Sequence, residues 1–111
     1  MPGYSELVQS NTVAGTSICL VPHACALMAV RGLNLTAGDA YILIFDKAAV
    51  GDVLVGTTVP DWVVQSDAND PSVGDGLPTS GMVFHSGIVV TSLNGITGTT
   101  AATQHIRIAI Q

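Results

Sequence analysis

The apolar residues of this chain come in short runs of branched side chains, each interrupted after a few positions by Gly, Pro, Asn or Asp. A surface helix needs a face of long charged or polar residues. This sequence holds one Glu (Glu6), one Lys (Lys47) and two Arg (Arg31 and Arg107). A sheet can instead clothe its wet face in Thr, Ser and Asn, which are plentiful here. Extended backbone is therefore the expected state. With 111 residues, the chain is long enough to bury one core without a metal.

Alternation places the strands. The clearest is 40–46, with Tyr41, Leu43 and Phe45 on one face and Ala40, Ile42 and Ile44 on the other. Both faces are apolar, so it is expected at the centre of a sheet, its second side covered by another subunit or a long loop. Residues 104–110 alternate Ile106, Ile108 and Ile110 against His105, Arg107 and Ala109. Residues 87–93 and 62–66 also read as strands, and 82–85 as a brief one. Residues 24–33 could be helical by composition, but their length and surroundings favour a strand with Leu27, Ala29, Arg31 and Leu33 on one side. Residues 12–21 are one bulged strand or two short ones. Residues 47–61 read as an irregular crossing with a β patch at 53–55. Residues 67–81, rich in Asp, Gly and Pro, read as a long loop. Asn94-Gly95 is a strong turn signal, with 96–100 pairing back across it. The sum is an all-β domain of about eight short antiparallel strands, a β-sandwich or its jelly-roll variant, since a single sheet would leave an apolar face wet. Residues 1–12 are a flexible N-terminal arm or the first strand, and 13–111 are one domain.

Charged residues are 10% of the chain and the formal net charge is −5. So few basic residues exclude a nucleic-acid footprint and an anionic membrane surface. A surface this poor in charge suits coverage by copies of the same chain or by a host assembly. Met1-Pro2-Gly3 opens no signal-peptide pattern, and no stretch is apolar enough for a membrane-spanning helix. Asn34-Leu35-Thr36 matches the glycosylation acceptor pattern, a match we take as chance.

No residue pattern demands chemistry. His23, His85 and His105 form no ligand motif, although His85 and His105 could meet across a sheet. No nucleophile elbow occurs, and most of the seven Asp stand in turn contexts. Asp67, Asn69, Asp70 and Asp75 imitate a calcium loop but miss its spacing, and read as a solvated acidic tip. Across a two-residue turn at Pro22-His23, Cys19 faces Ala26 and Cys25 faces Leu20. Two buried free thiols are the favoured reading, a disulfide across a wider turn the alternative. Trp62 belongs in the core or at a subunit contact, with a sugar-stacking platform as the third reading. No cofactor, metal or catalytic residue is expected. The candidate interface residues are Tyr4 and Leu7 on the N-terminal segment, Trp62, and Asp67, Asn69, Asp70 and Asp75 on the acidic loop.

The stretches AYILIFDKAAVGDVLVGTTVPDWVV (40–64) and GLPTSGMVFHSGIVVTSLNGITGTT (76–100) resemble a group of small tailed-bacteriophage virion proteins. The residues that carry the resemblance are Phe45, Asp46, Lys47 and Ala48, then Gly56, Thr57 and Pro60, then Gly76, Pro78, Gly81, Phe84, Gly87 and the 97–100 region. The order Gly76-Leu77-Pro78 and the acidic insert at 67–75 depart from that pattern. The resemblance implies a non-enzymatic structural protein of the virion. It would be a capsid decoration or cement protein that docks on the major capsid protein, or another virion protein, as a homo-oligomer, a trimer favoured. The alternative it implies is a tail- or fibre-associated module that binds a host surface glycan or protein.

Overall fold

A computed structural model describes residues 6–13, 16–66, 71–73, 81–96 and 98–111, with the backbone alone for 6–13, 66 and 71–73. Its strands are β1 (Glu6–Val13), β2 (Ile18–Val21), β3 (Cys25–Asn34), β4 (Ala40–Phe45), β5 (Trp62–Ser66), β6 (Pro71–Val73), β7 (Met82–Phe84), β8 (Ile88–Leu93) and β9 (Gln104–Ile110). They form two sheets in the orders β1-β9-β3-β6, with β7 also on β3, and β2-β8-β4-β5. Every pairing is antiparallel. The domain is thus all-β and built as two packed sheets, as the composition demanded.

The pairings are nested. β1 pairs β9, β2 pairs β8, β3 pairs β6 and β4 pairs β5, while β9 also pairs β3 and β8 also pairs β4. Successive nested pairs alternate between the two sheets. Between the sheets lies the main core: Leu27, Val30, Phe84, Ile106, Ile108 and Ile110 from one sheet meet Leu20, Ile42, Ile44, Val64, Ile88 and Val90 from the other. Each such side chain contributes about 1.5–3 kcal/mol by leaving water.

β4 lies between β8 and β5, as its two apolar faces required. Its outer face carries a second cluster, in which Leu43, Phe45, Val89 and Leu93 are buried with Tyr41, Val53, Val55, Cys19 and Val63 packed on them. The cover is supplied by the chain's own 47–61 crossing. That crossing forms a short 3-10 turn at Val50–Asp52 and no strand at 53–55. Val53 and Val55 turn inward onto Phe45 and Leu43 instead of pairing, so their alternation reflects half-burial alone.

Of the two readings of residues 12–21, two strands is the one seen: β1 ends at Val13, β2 spans Ile18–Val21, and they lie in different sheets. Several other expectations need correction. Pro22-His23 is a crossing between sheets and not a hairpin, because β2 pairs β8 while β3 pairs β9. Residues 6–13 form an edge strand on β9, so the first strand is the role seen there for the N-terminal segment. The 67–81 loop contains β6, whose Pro71, Ser72 and Val73 lie opposite Leu33, Gly32 and Arg31. After Asn94-Gly95 the chain returns through one isolated bridge, Leu93 with Ala101, and the described residues among 96–100 form no strand. In β3, Leu27 faces the core while Ala29, Arg31 and Leu33 face outward, because the register slips between Leu27 and Ala29. The extra residue of a bulge inverts the facing of everything beyond it.

The Asn34-Leu35-Thr36 pattern proves to be a turn device. Asn34 is 1% exposed. Its Oδ1 accepts from the Thr36 N–H at 2.9 Å and from Thr36 Oγ1 at 2.6 Å, and its Nδ2 donates to the Gly38 carbonyl at 2.8 Å. This Asx-type turn carries the chain from β3 to β4 and uses the amide that a glycan would need. Asn34→Ala should cost about 1–3 kcal/mol of stability for the stranded partners, read as a lower urea midpoint with an unchanged slope.

Candidate functional site

At one end of the sandwich, β4 leaves its sheet at Phe45, and the next residue ties three segments together. Asp46 Oδ1 accepts the Ser86 N–H at 2.8 Å and the Gly87 N–H at 3.4 Å, and Oδ2 accepts the His85 N–H at 3.0 Å. The Asp46 N–H donates in turn to Asp61 Oδ2 at 2.6 Å, and the Asp61 N–H donates to the Ile44 carbonyl at 2.8 Å. The two Asp residues therefore pin both ends of the 47–61 crossing, and Asp46 also fixes the turn between β7 and β8. Burial opposes charge on Asp46, but the N–H groups of His85, Ser86 and Gly87, with the His85 side chain, outweigh it and hold the carboxyl below its usual range.

Gly87 completes the knot. Its φ is +153°, and a Cβ there would stand 2.3 Å from the Val21 carbonyl oxygen and 2.8 Å from that of Lys47. Neither atom can give way, since both are backbone. Gly56 plays a smaller part within the crossing: its φ is +87°, and a Cβ would meet Thr99 Cγ2 at 2.8 Å.

Held this way, the crossing presents apolar side chains to solvent. Val59 is 81% exposed, Leu54 65% and Val50 46%. The loop carrying them is firm. Thr57 and Thr58 N–H groups donate to the Leu54 carbonyl at 3.0 and 2.8 Å, Thr58 Oγ1 accepts the Leu54 N–H at 2.8 Å, and the Val53 N–H donates to the Val50 carbonyl at 3.1 Å. Inward Val53 and Val55 anchor it, and outward Leu54 and Val59 are displayed. Sequence reasoning missed this surface. The triplet Val53-Leu54-Val55 reads as strand, and only the crossing's hydrogen bonds reveal that Leu54 faces away from the domain.

Tyr4, Asp67, Asn69, Asp70 and Asp75 lie outside the described residues. Leu7 lies in β1, opposite Ala109. Trp62 is half-buried against the inter-sheet core, with its Nε1 buried and unpartnered. Tyr41, Phe45 and Phe84 also belong to the apolar clusters or the buried core. His85 follows β7, which pairs the Cys25–Leu27 end of β3, whereas His105 lies opposite Leu33 near the other end. They do not meet.

Both cysteines are free and half-buried. Cys19 packs on the outer cluster and donates weakly to the Ala48 carbonyl at 3.4 Å, while Cys25 packs on the inter-sheet core. They stand on strands of different sheets and in different apolar clusters. Burial, and after it the Asp46 charge, raises the Cys25 thiol above its usual pKa, the reverse of what an activated nucleophile needs. Among the described residues, no group of three or more His, Cys, Asp or Glu could hold a metal ion, and no helix is long and apolar enough to cross a membrane. No family model, curated protein or solved structure matches the chain.

Two outcomes follow from this end of the domain. Asp46→Asn should destabilise the protein at pH 7 by about 1–2 kcal/mol, allowing for solvent screening. The folded-state pKa is depressed, so this stabilisation is present above the unfolded value of about 4 and fades as pH falls through the folded one. The gap between wild type and variant should therefore close in acid, as read by urea denaturation across pH 2–7. Gly87→Ala should cost about 3 kcal/mol or more, as read by thermal unfolding.

Proposed function

We propose that this chain is a non-enzymatic structural protein of a bacteriophage virion, a decoration or cement protein that docks on the major capsid protein lattice. The observation that carries the reading is the crossing over the β2-β8-β4-β5 sheet. It is a firmly hydrogen-bonded loop that holds the two most exposed large apolar side chains of the described residues, Val59 and Leu54, toward solvent. A rigid loop loses little entropy on docking, so such side chains act as anchors for a protein partner.

Three further features support it. The nested strand order is that of a long antiparallel ribbon folded over into two layers, which we read as a jelly roll, an architecture common in capsid proteins. The low charge suits a surface covered by protein. Some of the residues behind the resemblance to phage virion proteins build the crossing: Phe45 roots it, Asp46 pins it and Gly56 shapes its turn. A homo-oligomer, a trimer favoured, would multiply modest contacts on a symmetric shell. The glycan-binding alternative has less support, since the described aromatics are packed into the apolar clusters and the core.

The decisive experiment is electron microscopy of assembled particles with and without the protein, accompanied by its oligomeric mass in solution. Density on the capsid surface that disappears with the protein is the expected result, and a particle bearing it nowhere overturns the reading. Leu54→Ser with Val59→Ser should weaken particle binding by roughly 10- to 100-fold, the equivalent of about 1.5–3 kcal/mol of lost apolar burial. The melting temperature of the isolated protein should hardly move.

A further inference from the structure

Two of the three Lys and Arg residues of this acidic chain stand directly opposite one another. Arg31 on β3 is the register partner of Arg107 on β9, at the two central positions of the β1-β9-β3-β6 sheet, and both side chains are exposed. Like charges directly across a sheet are destabilising, and natural sheets tend to set opposite charges there. The row runs Ser10, Arg107, Arg31, Val73, and the row beside it runs Thr12, His105, Leu33, Pro71, so among the described residues no carboxylate stands next to either guanidinium along these rows. Between these rows lies a concavity of about 340 Å³, lined among the described residues by Arg31, Leu33, His105 and Arg107.

We infer that Arg31 and Arg107 form a binding site for a doubly charged oxyanion of the sulfate or phosphate type. Guanidinium N–H forks match the oxygens of such a group, and a pair sets two positive charges against its two negative ones. Neighbouring strands hold the two stems about 4.5–5.5 Å apart at Cβ, a span that lets both forks reach one tetrahedral anion. His105 and Leu33, register partners in the next row, complete the described lining. The volume suits a small ligand, and the bound anion would cancel the repulsion that the sheet otherwise carries. Occupancy by a free ion and by the same group carried on a larger molecule use the same chemistry. The site lies on the sheet opposite the Leu54 and Val59 surface, and its assignment does not rest on the proposed function.

The test is an NMR titration of the full chain with sodium sulfate and with sodium phosphate, against sodium chloride at matched ionic strength. Arg31 and Arg107 Nε–H signals should shift saturably with either dianion and not with chloride. Arg107→Gln should weaken the binding by about tenfold, the loss of one charge-assisted contact. The double variant Arg31→Gln, Arg107→Gln should abolish it, while Lys47→Gln, in the distant crossing, should leave it intact. O-phosphoserine identifies the source: binding as tight as inorganic phosphate points to a carried group, and exclusion of it points to the free ion. A second measurement guards against misfolding. In low-salt chloride, Arg107→Gln should melt higher than wild type because the repulsion is gone, and added sulfate should raise the wild-type melting temperature by more than that of the double variant, whose rise reports the general effect of the salt. Linear shifts common to sulfate and chloride would overturn the site, as would sulfate binding unaffected in the double variant.

Discussion

A strand that is apolar on both faces cannot end at a sandwich's outer surface. β4 is such a strand, and most of the architecture answers it. Ile42 and Ile44 are satisfied by the opposing sheet, which needs only the ordinary packing of two layers. Leu43 and Phe45 point the other way, where a two-layer fold has nothing to offer. The chain meets this by sending 47–61 back over the sheet with Val53 and Val55 turned down. That local third layer makes the crossing long and gives it a fixed shape.

An irregular segment needs its polar backbone satisfied by other means than a ladder. Here the means are side chains at its two ends. Asp46 and Asp61 are linked to each other, to the last residues of β4 and to the turn before β8, so the segment is clamped where it leaves and where it returns. The charge on Asp46 therefore serves geometry. It is stabilised by N–H groups aimed at it and lies beside a thiol that it makes less reactive. The shift on Asp46 comes from backbone N–H groups that fix the fold, and the shift on Cys25 comes first from burial.

Much of the sandwich was legible in the sequence because alternation reports burial directly. β4, β5, β8 and β9 lie where the pattern puts them, and the doubly apolar pattern of β4 announced a cover on its outer side. What the pattern could not carry was partner choice. Cys19 and Cys25 flank a Pro-His break that looks like a hairpin, yet their strands belong to different sheets, because pairing is decided far along the chain, Cys19 lying opposite Val89 and Cys25 opposite Phe84. Nor can alternation register a bulge, which is why Leu27 was grouped with Ala29 and Arg31. The candidate surface was hidden for a related reason: inward and outward residues of a hydrogen-bonded loop alternate much as those of a strand do, so Leu54 looked like a strand position. The Arg31–Arg107 pair needed the register itself.

The register slips on either side of β9 fall at the same level. In β1 the extra residue lies between Leu7 and Gln9, and in β3 between Leu27 and Ala29, both beside Ala109. β9 itself runs without interruption, its three isoleucines spaced evenly into the core. The strand thus acts as a straightedge against which both neighbours accommodate one surplus residue, and the strong local twist that bulges bring is concentrated at a single corner of the sheet. Length variation in the first and third strands can be absorbed at that corner while the spacing of Ile106, Ile108 and Ile110 stays untouched.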